Sequence, residues 1–67
     1  MNIKSKIEKQ QELELARTVQ KACIQAANKA FEEASISGLC DEGALEAAIG
    51  AIQSLDIDAV LASFHNS

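Results

Sequence analysis

The stretch Val19 to Ala34, VQKACIQAANKAFEEA, constrains this chain more than any other. Read at helical spacing, Leu15, Val19, Cys23, Ala27 and Phe31 recur every four residues. A second row, Ala22, Ala26, Ala30 and Ala34, runs beside them. Together they make one apolar stripe of the kind a packed helix presents. The Ala row is thin. Alanine costs least in a helix and lets a second backbone come close, so the row reads as a close-contact seam for another helix. The alternative is that alanine is here simply as a good helix former. Phe31 is the one large side chain in the stripe and is expected to anchor it.

Whatever packs on that seam must come from a short chain. At 67 residues there is one domain at most. A domain of this size buries only about 60% of its unfolded surface, so its core is thin. Two Phe, with no Trp or Tyr, cannot supply the missing mass.

The first 36 residues contain neither Gly nor Pro. Helix is expected from about Lys4 or Ser5, fraying toward Met1. Glu8 with Glu12 and Arg17 with Lys21 are like-charge pairs four apart, which weaken this part slightly on its own. Leu13 and Leu15 cannot share one face. The segment SISGLCDEG reads as a tight helix–helix connection. Gly38 suits the left-handed position after a helix, Leu39 can fold back onto Ala34, and Asp41 suits the N-cap of the next helix with Glu42 in its first turn. Helices joined this briefly lie roughly antiparallel.

The second helix is expected over about Glu42 to Ser54. Leu45, Ala48, Ile49 and Ile52 form one of its faces, and Gly43, Ala47 and Ala51 form a row of small residues on another. Only Glu46, Gly50 and Gln53 resemble a solvent stripe. A helix apolar over most of its circumference is buried on more than one side. One face therefore meets the Ala seam and the other needs a further partner. After SLDID, Asp56 is a plausible N-cap for a short third helix carrying Ile57, Val60, Leu61 and Phe64. His65, Asn66 and Ser67 are expected to fray. The fold class is thus all-α: a long helix, a tight turn, a second helix and a short third.

Charge is distributed unevenly. All six bases, Lys4, Lys6, Lys9, Arg17, Lys21 and Lys29, lie in the first 29 residues, where Glu8, Glu12 and Glu14 are the only acids. Residues 30 to 67 carry seven acids and no base. The chain is electrically two-ended.

No catalytic constellation accompanies this scaffold. Cys23 and Cys40 are too few for a disulfide framework, and a reduced, cytoplasmic chain is expected. Cys40 sits at the turn, and Cys23 lies roughly 21 Å back along the helix. A disulfide needs Cα atoms within about 7 Å, so the two are not expected to pair in one chain. Cys23 reads as a small buried hydrophobe. Cys40 is the one candidate reactive thiol. Its place at a helix N-terminus favours a thiolate, while Asp41 and Glu42 oppose one. Cys40, Asp41, Glu42 and His65 have no metal-ligand spacing, and Glu32 and Glu33, adjacent on a helix, point apart. No phosphate loop, nucleophile elbow or dinucleotide fingerprint occurs. No metal, cofactor or enzymatic activity is expected.

Nucleic acid is not an expected partner. Acids interleave with the N-terminal lysines, and the candidate recognition helix IDAVLASFH carries Asp58 and no base, so it would repel phosphate. No membrane partner is expected either. No apolar run reaches the roughly 18 residues of a span, the basic segment has no continuous apolar face, and MNIKSKIEKQQ lacks the apolar core of a secretory signal.

The segment SGLCDEGALEAAIGAIQSLD, about a third of the chain, resembles a segment of short bacterial helical proteins without an established role. The resemblance implies a bacterial source. It carries no activity and no functional residue with it.

The sequence favours a small self-assembling helical interaction or scaffold protein. The alternatives are an accessory or regulatory subunit docking on a larger protein, and a redox protein or enzyme using Cys40. An antiparallel homodimer is expected for three reasons. The long helix outreaches the second one, leaving Ile3, Ile7 and Leu13 without cover. The second helix is apolar on two sides, more than one chain can bury. Antiparallel pairing also sets the basic half of one chain against the acidic half of the other.

Overall fold

A computed structural model describes residues 3–66, with side chains from Glu8 onward. Three helices follow one another: α1 (Ile3–Ile36), α2 (Asp41–Gln53) and α3 (Ile57–Asn66). There is no strand among the described residues. The all-α expectation holds, and so does the order of long helix, tight turn, second helix and short third. Helix α1 begins slightly earlier than expected, and α3 runs through His65 to Asn66. The fraying expected at Met1 and Ser67 lies outside the described residues.

With 34 residues, α1 is about 51 Å long, and the 13 residues of α2 cover about 20 Å of it. Helix α3 packs further back along α1, and α2 and α3 make no close backbone approach to each other. Their axes meet at 62°. The radius of gyration is 16.0 Å, against about 11 Å for a compact domain of this length. The chain is therefore a rod, 55 × 21 × 15 Å, with α1 as its spine.

The turn forms for the reasons the residues suggest. Gly38 has φ +94°, a conformation an L side chain rarely adopts. That lets the Leu39 N–H donate to the Ala34 carbonyl (3.0 Å) and the Gly38 N–H to the Ser35 carbonyl (3.1 Å). The pair of bonds is a Schellman closure, which satisfies carbonyls a helix end otherwise leaves open. The Ser37 hydroxyl closes back on the Glu33 carbonyl at 2.9 Å.

The start of α2 corrects one expectation. Its N-cap is Cys40, with φ −69° and ψ 168°, and no side chain caps it. Asp41 is the first helical residue, one place further on. There it stands with Glu42 in the first turn, where both acids favour the positive end of the helix dipole. Leu39 takes over part of the local closure. Its Cδ2 would lie 3.2 Å from a Cβ at Gly43, so the side chain rests on the first turn of α2. Asp56 does cap α3: its Oδ1 accepts from the Ala59 N–H at 3.0 Å.

Candidate functional site

The Ala seam is where the chain closes on itself. Ala22, Ala26, Ala30 and Ala34, with Leu15, Val19, Cys23 and Ala27, are all half-buried along α1. Facing them, Ala44 is 0% and Ala48 7% exposed, and these two are the buried core of the described chain. Gly43, Ala47, Gly50 and Ala51 are half-buried around them. Small residues meet small residues, which leaves room for the two backbones to approach closely and gain dispersion contacts in place of side-chain bulk.

This choice of face fixes everything else. Of the two apolar sides of α2, the small one turns inward. Leu45, Ile49 and Ile52 turn outward and stay 42% to 56% exposed. Leu45, Ile49 and Ile52 therefore do not line the seam inside the chain, although Ala48 of the same face does. Phe31 lies at the seam's edge and is 36% exposed, so the expected anchor is covered on one side only. Gly50, expected in a solvent stripe, is half-buried.

Helix α3 sends Val60 and Phe64 toward α1. It leaves an open groove of about 440 Å³ lined by Thr18, Lys21, Ala22, Gln25, Ala59, Val60 and Ser63. A smaller one of about 260 Å³ is lined by Glu8, Gln11, Glu12, Leu15, Phe64 and His65. The Phe64 and His65 rings meet edge to face at 5.6 Å. Both grooves lie open along the rod, the first carrying two hydroxyls and a lysine, the second two carboxylates and a histidine.

Cys40 and Cys23 are free thiols. Cys40 is exposed at the turn and Cys23 is half-buried in the seam, where the helical spacing placed each. No group of three His, Cys, Asp or Glu side chains able to hold a metal ion occurs among the described residues. No single helix there is long and apolar enough to cross a membrane.

Reading the sequence in four-residue steps missed the stripe formed by Leu13, Ile24 and Phe31 on α1. All three are exposed. Their spacings of eleven and seven residues were the available signal, since both return a helix to nearly the same direction.

Compared with known families, curated proteins and solved structures, the chain matches none.

Proposed function

We propose that this chain is a small self-assembling helical interaction protein, a scaffold module without catalytic activity of its own. It works as an antiparallel homodimer, in a reducing, cytoplasmic setting. One observation carries the reading: among the described residues ten large apolar side chains, Ile24, Leu45, Ile49 and Ile57 among them, stand more than a third exposed. Much of what is uncovered is aliphatic, and a second copy supplies cover with the same composition and the same need.

Sedimentation velocity at micromolar concentration tests this. A dimer runs at about 14 kDa, twice the chain mass. A folded monomer of 7.1 kDa would overturn the self-assembly reading. It would favour the accessory-subunit alternative, in which the same uncovered residues dock on a larger protein. The redox alternative rests on Cys40 alone, which stands exposed beside Asp41 and Glu42.

A further inference from the structure

The exposed aliphatic residues are not scattered. Projected at about 100° per residue, Leu13, Ile24 and Phe31 of α1 fall within about 20° of one another. They lie about 120° round the helix from the centre of the Ala seam. On α2, Leu45, Ile49 and Ile52 span about 60° and lie about 85° from the Ala44–Ala48 row. The helices run antiparallel, so rotations of the same sense carry both stripes to one flank of the rod. Ile57 and Leu61 of α3 are displaced from Val60 and Phe64 in that same sense and extend the flank. The opposite flank carries more polar side chains: the groove between α1 and α3 is lined there by Thr18, Lys21, Gln25 and Ser63 together with Ala22, Ala59 and Val60.

We propose that this apolar flank is the surface on which a second copy of the chain sits, face to face about a twofold axis crossing α1 near Ala22. The inference rests on the self-assembly reading and adds where and how the two chains meet. An axis at that height sets Leu13 opposite the partner's Phe31, because both are nine residues from Ala22. It lays the α2 stripe of each chain over the partner's α3, so Ile49 and Ile52 meet the Leu61 end of the flank. Every stripe is then covered by a stripe of similar bulk, and the part of α1 that α2 cannot reach gains a neighbour.

Charge supports the same occupant. Lys9 and Arg17 border the stripe on α1, and Glu42 and Glu46 border it on α2; all four are exposed. Antiparallel stacking brings Lys9 of each chain near the partner's Glu42. Parallel stacking would set lysine against lysine and acid against acid.

The test uses the full chain in sedimentation equilibrium, with helicity followed by circular dichroism. Ile24→Glu and Ile49→Glu each put a charge at the middle of the flank on a residue already half exposed, so the single chain should stay helical while the dimer is lost. Ile36→Glu is the control. Ile36 is 85% exposed, the most uncovered large aliphatic, yet it points off the flank. It should sediment as the parent chain does. Should Ile24→Glu lose its helices, Ile24→Ser gives the same readout more gently. Orientation is read from charge: Lys9→Glu should weaken association about two- to fivefold at low salt, and adding Glu42→Lys should restore it. A dimer indifferent to Ile24→Glu and Ile49→Glu, or equally sensitive to Ile36→Glu, overturns the flank and leaves self-assembly standing. A parent chain that is monomeric overturns both. So does a monomer that co-sediments with phosphatidylcholine vesicles, which would assign the flank to a lipid surface.

Discussion

Ala44→Leu decides whether the seam is a close contact or a loose one, because the two cases differ in sign. Leucine adds three carbons at a fully buried position. Where a cavity can accept them, each buried methylene contributes about 0.8 kcal/mol, and the variant would gain about 2 kcal/mol. Where two Ala-faced helices already touch, the added carbons force the backbones apart, at a cost of about 1–3 kcal/mol. A chain of this length has about 3–10 kcal/mol of stability in all, so the loss is a large share of it. At about 4–8 °C per kcal/mol, the melting temperature should fall by about 5–20 °C. Thermal unfolding followed by circular dichroism, at matched protein concentration so that association contributes equally, reads the shift. Ala62→Leu, on the exposed side of α3, should move it by no more than about 0.5 kcal/mol in equivalent stability. If Ala44→Leu melts at or above the parent chain, the reasoning fails. The Ala row would then reflect helix propensity alone.

Three further outcomes follow from the local geometry. Gly38→Ala should cost about 1–2 kcal/mol from backbone conformation alone, since nothing lies within 4 Å of the added Cβ; D-alanine placed there by synthesis should restore the melting temperature, and failure to do so would implicate crowding instead. Asp56→Ala should lose about 1 kcal/mol with the cap to Ala59, while Asp56→Asn keeps most of it; equal losses in urea unfolding would mean the carboxylate charge matters more than the hydrogen bond. Cys40 should label with a thiol reagent faster than Cys23, and equal rates in the folded protein would place Cys23 outside the seam.

Much of this architecture was readable from residue type. The Ala row, Gly38 at the left-handed turn and Asp56 as a cap each depend on chemistry confined to a few neighbouring residues. Asp41 was one position off because an acid in the first helical turn and an acid at the N-cap both favour the same end, and only backbone dihedrals separate them. The orientation of α2 was not readable. Its sequence offers two apolar sides, and nothing within α2 ranks them. The decision belongs to α1, whose alanines reward the smaller side with a closer approach. Phe31 lies at the seam's edge for a related reason: it serves two stripes at once, the seam through Ala27 and the outer row through Ile24. The outer row itself was hidden by Arg17 and Gln20, which interrupt it between Leu13 and Ile24.

Helices α2 and α3 each lie on α1 and make no close backbone approach to each other, so the rod is fastened mainly at two separate places. If α3 lifts away, the turn-proximal hairpin loses little, but the first half of α1 loses its neighbour and becomes an isolated helix of marginal stability. Opening is then graded along the molecule, cheap at the end remote from Gly38 and expensive near it. In a cell, a protease attacking the single chain would cut first in the α1 segment around Glu8 to Leu15, and the lifetime of the protein would be set by how long that end stays covered.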